Sequence, residues 1–282
     1  MIYRVMNDGN RIPALGFGTF QMTSEEVERV LPRVLALGCR HVDTANRYFN
    51  EVAVGRVIRE SGIPRDELFV TSKLFPPDYP HGRCLAAIDA TLERMGLDYL
   101  DLMLFHQPYG AYVDGWQDME RAVEQGKVRS IGVDNFSAEK VREVAAVARV
   151  MPAAIQVEMN PRNNQHELKR QLADLRLTYE GWYPLGHGDP GLLEAEPIAR
   201  AAQAHGKTPA QVVIRWHLQE GNVVFPKSLN PEHVAQNFDV FDFELTEGEM
   251  WAIDALEQRP YHTVLEECPA WMAEEVDYSR QA

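Results

Sequence analysis

Along the chain, short apolar runs alternate with longer stretches in which apolar positions recur every three or four residues. The runs are Leu15–Gly18, His41–Asp43, Leu68–Lys73, Leu100–His106, Val128–Val133, Ala154–Val157, Leu177–Trp182 and Val223–Pro226. Each is short and rich in aliphatic, β-branched or aromatic residues, which predicts a strand. Between the first two runs the spacing changes. Val27, Val30, Leu31, Val34 and Leu37 form a stripe of period 3.6 within Glu25–Leu37, which predicts a helix with one apolar face. Start signals mark other helices. Thr23 with Glu26 and Thr246 with Glu249 have the spacing of reciprocal caps, and Thr208-Pro209 and Asn230-Pro231 set a capping side chain before a proline. The opening breaks the pattern: Tyr3–Met6 and Arg11–Leu15 flank Asn7-Asp8-Gly9-Asn10, whose Asp-Gly suits a tight turn, so a hairpin is expected.

After the hairpin come eight strand-then-helix units in a chain of 282 residues, about 35 residues per unit. No linker or composition shift divides them, so residues 1–282 are read as one domain, with 259–282 as its C-terminal tail. Strict alternation favours a parallel sheet, either closed into a barrel or doubly wound. A doubly wound dinucleotide fold calls for Gly-x-Gly-x-x-Gly, and Gly16-Phe17-Gly18-Thr19-Phe20-Gln21 lacks the third glycine. The expected fold is therefore α/β, a (β/α)8 TIM barrel with an N-terminal β-hairpin.

Composition narrows the function classes. A share of 45% hydrophobic and 25% charged residues is globular, and 28 basic against 42 acidic residues leave a net charge of −14. That balance argues against nucleic acid and anionic lipid as partners. No apolar run approaches the roughly 20 residues that span a bilayer. Met1–Asn10 has neither a signal core nor transit character, so a cytoplasmic protein is expected. Cys39, Cys84 and Cys268 are too few and too scattered for a disulfide framework or a zinc site, and no resident metal is expected.

In a barrel of this kind, chemistry gathers at the C-terminal ends of the strands. Asp43, Lys73 and His106 end or follow the second, third and fourth runs, Asn135 follows the fifth, and Gln156 and Glu158 lie at the end of the sixth. Tyr48 lies five residues beyond Asp43. Singly, each has an ordinary explanation: a loop-capping carboxylate, a surface lysine, a satisfied core histidine, a packing tyrosine. Their convergence on one face is what points to chemistry.

The residues around these positions resemble the aldo-keto reductase family. His41-Val42-Asp43-Thr44-Ala45-Asn46-Arg47-Tyr48, with Asn50-Glu51 and Val54-Gly55, is similar to its first signature. Thr71-Ser72-Lys73-Leu74 and Leu104-Phe105-His106-Gln107-Pro108 resemble its lysine and histidine motifs. The segments Gly126–Phe136, Gln156–Pro161, Trp182–Gly186 and Phe225–Ser228 follow in order. The short loop after the fourth strand and the segment Gly181–Gly188 resemble the diketogluconate-reductase branch of prokaryotic members.

The resemblance implies NAD(P)H-dependent reduction of an aldehyde or ketone to the alcohol, with Asp43, Tyr48, Lys73 and His106 as catalytic residues. Hydride addition to a carbonyl carbon builds negative charge on the oxygen, which calls for a proton donor and preplaced hydrogen bonds. Tyr48 is cast as general acid, Lys73 as the ammonium that lowers its pKa, Asp43 as the holder of that ammonium, and His106 as the group steering the carbonyl. A small-molecule carbonyl substrate, no obligate protein partner and, by family default, a monomer complete the expectation. The rival readings are a low-turnover cofactor-binding sensor on the same barrel, and a metal-dependent hydrolase that lacks the ligand cluster it would need.

For the cofactor, NADPH with NADH also usable, the resemblance places Asn135 and Gln156 at the carboxamide and Trp182 on the nicotinamide. Asp43, Gly18 and Thr19 lie beneath it, and Tyr183, Leu185, Gly186 and Lys227 fall in the pyrophosphate region. Ser228, Asn230 and His233 fall near the 2′-phosphate, and Gln236 and Asn237 at the adenine. Four departures stand out. Asp134 replaces the usual serine: it either accepts from the carboxamide and favours the cationic oxidised nicotinamide, or points away as a solvated loop acid. His233 replaces the usual arginine and Gln236 the usual glutamate, which predicts a weak preference for NADPH that strengthens at acid pH. Tyr183 occupies a position that is commonly small. Phe75 and Gln107 stand where tryptophan is common, and Phe20, Phe49, Phe75, Gln107 and Trp116 are the expected pocket walls. The tail carries Tyr261, Trp271 and Tyr278 with Glu266, Glu267, Glu274 and Glu275. It is either a substrate-covering loop, as in the family, or a loosely packed acidic tail.

Overall fold

The computed structural model describes residues 1–260 and 267–281. A two-stranded antiparallel hairpin, β1 (Tyr3–Val5) and β2 (Arg11–Pro13), opens the chain, with Gly9 at a φ of 88° in its turn. Eight parallel strands follow: β3 (Phe17–Gly18), β4 (His41–Asp43), β5 (Phe69–Leu74), β6 (Leu100–Phe105), β7 (Val128–Asp134), β8 (Ala154–Glu158), β9 (Thr178–Trp182) and β10 (Val223–Val224). Each pairs with the next in sequence order. The seam closes where Leu15 bridges Val224, with the Gly16 N–H donating to Val224 O at 2.9 Å and the Val224 N–H to Ala14 O at 3.0 Å. The chain folds as an α/β TIM barrel. β3 and β10 are shorter than their apolar runs because the seam they share is held by a single bridge.

Outside the barrel lie α1 (Ser24–Ala36), α2 (Glu51–Glu60), α3 (Arg83–Met95), α4 (Tyr112–Glu124), α5 (Ala138–Val147) and α6 (His166–Gln171). They are followed by α7 (Pro190–Leu193), α8 (Glu196–His205), α9 (Pro209–Gln219), α10 (Pro231–Phe238) and α11 (Glu247–Asp254). The sequence caps form as expected. Thr23 accepts from the Glu26 N–H and Thr246 from the Glu249 N–H, each with the reciprocal side-chain bond, and Thr208 makes the same pair with Gln211.

Strand side chains alternate between two environments, as the period of two requires. Val42, Val70, Met103, Phe105, Ile131, Val133 and Ile155 face outward onto Val27, Leu31, Val34, Ile88, Met119 and Val144 of the helices. The inward positions split by height. Phe69, Leu102, Leu104, Ala154 and Val223 form an apolar floor, sealed by Met6 and Ile12 of the hairpin. Gly132 belongs to this layer of necessity, because a Cβ there would stand 2.4 Å from Ala154 O. Polar side chains are left for the C-terminal end of the barrel.

Candidate active site

Lys73 on β5 and Asp43 on β4 occupy inward positions of adjacent strands, and their side chains meet above the apolar floor. Lys73 Nζ donates to both carboxylate oxygens of Asp43 at 2.7 Å, to Thr44 O at 3.1 Å and to the Tyr48 hydroxyl at 3.2 Å. Lys73 has no exposed surface and Asp43 only 4%. Burial by itself would strip the ammonium of its proton, but the charges of Asp43 and the groups around it outweigh burial and hold its pKa above the ordinary value.

Tyr48 lies in a short 3-10 turn, Asn46–Tyr48, that the first signature forms just after β4. Its ring meets His106 edge-on at 5.5 Å and Phe20 at 5.0 Å. Lys73 pulls the Tyr48 pKa down as expected, but burial is the larger effect. Burial raises the phenol above its ordinary value, and the downward pull of Lys73 only partly offsets this. Tyr48 therefore holds its proton at neutral pH. Since its oxygen already accepts from Lys73, the O–H is directed elsewhere.

His106, just beyond β6, is held neutral by burial, with Lys73 and Arg47 adding to the downward shift. Its Nε2 lies 3.8 Å from Asp134 Oδ2, a contact between a neutral ring and a carboxyl rather than an ion pair. Asp134 ends β7 with 1% exposure, which removes the reading of a solvated loop acid. Burial raises its pKa well above the carboxylate range. Lys73 pulls it down, while Asp43 and Glu180 push it further up. The shift moves Asp134 towards the protonated acid, so its surroundings oppose the anionic charge that would favour the cationic nicotinamide. Asp134 Oδ1 and His106 Nδ1 are both buried without a hydrogen-bond partner among the described residues.

These groups open into one cleft of about 970 Å3 running across the barrel mouth. At one end it is lined by Phe20, Arg47, Tyr48, Phe75, His106, Gln107 and Trp271. The middle takes Gly18, Asp43, Asp134, Asn135, Gln156 and Trp182, then Tyr183 and Leu185. The far end has Ser228, His233, Gln236 and Asn237, with Lys227 between the two ends. Asn135 sits at a φ of 67°, which asparagine tolerates. Its amide donates to His106 O and accepts from the Trp182 indole N–H at 2.9 Å, joining three cleft residues. Gln156 Nε2 donates to Asp43 Oδ2 and to Glu180 Oε2, both at 3.1 Å. Lys227 Nζ reaches across to Phe20 O at 3.0 Å. Tyr183 adopts a φ of 49°, so the departure from a small residue is carried in a left-handed turn.

Five expected site residues lie elsewhere. Thr19 is fully buried beneath the cleft, donating to Asp43 O and Asn50 Oδ1. Asn230 caps α10, accepting from the Glu232 N–H. Gly186 has a φ of 59° and packs towards Leu192 instead of lining the cleft. Trp116 is a core residue of α4 against Phe105, its indole donating to Val150 O. Phe49 packs with Tyr278 and Arg47 outside the cleft wall. Motif position gives the segment, and the local backbone decides which side chain turns inward.

The described tail is docked, against the reading of a loose acidic segment. Tyr278 donates to Asp78 at 2.6 Å, Gln281 bonds to the backbone at Asn46 and Glu51, and Glu275 makes a two-point pair with Arg83. Trp271 stacks on Phe75 at 6.0 Å and enters the cleft. Tyr261 and Glu266 lie outside the described residues. Arg47 carries no signal in its sequence position, since nothing in the spacing separates it from its motif neighbours.

The Aldo/keto reductase family profile matches residues 14–258. The chain belongs to the aldo-keto reductase family. An aldo-keto reductase of Mycolicibacterium smegmatis is 45% identical over 255 residues, covering 89% of this chain and 92% of its own. One from Mycobacterium tuberculosis H37Rv is 44% identical over 254 residues, 89% of each. Among solved structures, an aldo/keto reductase from Brucella melitensis superposes with a TM-score of 0.86 at 38% identity, covering 90% of this chain and 97% of that one. An aldo-keto reductase from a Medee basin deep-sea metagenome library gives 0.91 at 35%, covering 94% and 99%. None of these four carries the diketogluconate-reductase name. This aldo-keto reductase is an oxidoreductase, and its family acts on carbonyl compounds. No helix among the described residues is long and apolar enough to cross a membrane.

Proposed function

We propose that this enzyme reduces an aldehyde or ketone to the alcohol, with Tyr48 supplying the proton and NAD(P)H as the cofactor. The observation that carries the reading is the direction of the Lys73–Tyr48 hydrogen bond. With its oxygen accepting from Lys73, the Tyr48 hydroxyl is left to donate into the cleft. Asp43 anchors Lys73, and neutral His106 offers a second donor beside Tyr48. As charge gathers on the carbonyl oxygen, Tyr48 gives up its proton, and the Lys73 ammonium at 3.2 Å stabilises the phenolate left behind.

The cleft residues fit a nicotinamide dinucleotide, and the buried, unpartnered Asp134 Oδ1 in the cleft wall offers its carboxamide a partner. Bound there, the cofactor supplies the hydride and its two electrons to the carbonyl carbon. Asn135, Gln156 and Asp134 would hold the carboxamide, and Trp182 the ring face. Lys227, Ser228, His233, Gln236 and Asn237 would hold the phosphate and adenine end. The test is a fluorescence titration with NADPH and NADH, then decay of cofactor absorbance on adding a panel of small aldehydes and ketones. Saturable binding with turnover is expected. Binding without turnover of any member would favour a sensor on the same barrel.

A further inference from the structure

Arg47 brings to the Tyr48–His106 end of the cleft a positive charge that no described residue matches. Its guanidinium carbon lies 5.3 Å from the Phe49 ring centroid and 5.4 Å from that of Phe75. Neither ring neutralises it, and Arg47 has no hydrogen bond or ion pair with any described residue. Nearby arginines differ: Arg94 is paired with Glu51 and Arg83 with Glu275. Lys73, the other cation at this end, is matched by Asp43. Contact with ring faces occupies the flat surface of a guanidinium and leaves its N–H edge, the fork that fits a carboxylate.

The position relates this charge to the reacting centre. Phe75, one of the rings that hold Arg47, also meets His106 edge-on at 5.8 Å, and Arg47 directly precedes Tyr48 in the chain. Arg47 is close enough to His106 to help keep the imidazole neutral. The other cation-bearing residues of the cleft are Lys227, whose Nζ donates to Phe20 O, and the histidines His187 and His233, whereas Arg47 is seated against Phe75, the ring beside His106.

Resting on the reductase reading, we infer that the preferred substrates are small oxo acids, in which Arg47 binds the carboxylate while the carbonyl oxygen lies at Tyr48 and His106. Arg47 is then the residue that sets substrate class.

The experiment uses the full chain with saturating NADPH and two aldehydes of one skeleton, 4-oxobutanoate and its methyl ester. The readout is the ratio of their kcat/KM values. A charge-assisted pair predicts a ratio of roughly 10 to 100 in favour of the acid, carried mainly in KM. In Arg47→Gln the ratio falls towards one, in Arg47→Lys part of it returns, and in the unaltered enzyme it shrinks with added salt. A ratio near one in the unaltered enzyme, or an equal ratio in the Gln variant, overturns the inference and leaves the reductase reading standing. Turnover of the methyl ester reports on that reading alone. If neither aldehyde consumes cofactor, both fall.

Discussion

The Lys73 ammonium and the Asp43 carboxylate meet at two points, with Nζ 2.7 Å from each oxygen, on neighbouring strands of the barrel. Both are buried, so each charge is tolerable only because the other is there. Lys73→Met leaves Asp43 alone among Glu180 and Asp134, and should lower stability by about 3–5 kcal/mol in urea unfolding. Adding Asp43→Asn to that variant should recover much of the loss. Independent, additive losses would show that the two side chains are not coupled.

Glu180 gives a second test of this buried charge. Burial, with the nearby Asp43 charge, raises its carboxyl to about 8, and its Oε1 lacks a partner among the described residues. Its unfolded value is about 4.3, so between these limits the unfolded chain releases the proton first and stability falls as pH rises. The loss begins above about pH 4 and is complete near pH 8, where it amounts to a few kcal/mol. Glu180→Gln should remove that slope, so its melting temperature gains on the parent's from pH 5 to pH 8. A gain of the same size at both pH values would refute the assignment.

Asp134 faces Lys73, Asp43, Glu180 and His106, and is held towards its protonated form. As it ionises with rising pH it should draw the cationic nicotinamide more strongly than the neutral reduced ring. The ratio of NADP+ to NADPH affinity should therefore rise with pH in the parent and stay flatter in Asp134→Asn, as read by fluorescence titration. Identical pH courses would remove Asp134 from the nicotinamide site.

Much of this arrangement was legible in the sequence for a physical reason. Parallel strands buried on both faces read as unbroken apolar runs, so β5 and β6 were placed within a residue or so at each end. The polar residues ending those runs, Asp43, Lys73 and His106, could only face the barrel mouth. What escaped was set by backbone detail. Thr19 and Asn230 belong to matched segments but turn to backbone partners, and Trp116 and Phe49 have no periodicity that separates core from cleft. Arg47 is hidden between Asn46 and Tyr48. Trp271 reaches Phe75 across nearly two hundred positions of sequence, a contact that local pattern cannot signal.

His233 lines the far end of the cleft in place of an arginine. His233→Arg should tighten NADPH roughly ten- to a hundredfold while changing NADH little, because only NADPH carries the 2′-phosphate that a guanidinium fork would grip. An equal gain for both cofactors would place the 2′-phosphate elsewhere.

The central claim is that Tyr48 donates the proton, and Tyr48→Phe tests it with the ring and its packing kept. The measurement is kcat/KM for a good aldehyde in parent and variant, with NADPH affinity measured alongside. The account predicts a fall of at least about a hundredfold with cofactor affinity within a few-fold of the parent. A variant that keeps more than about a tenth of the parent activity would contradict it, because a general acid is worth at least about a hundredfold.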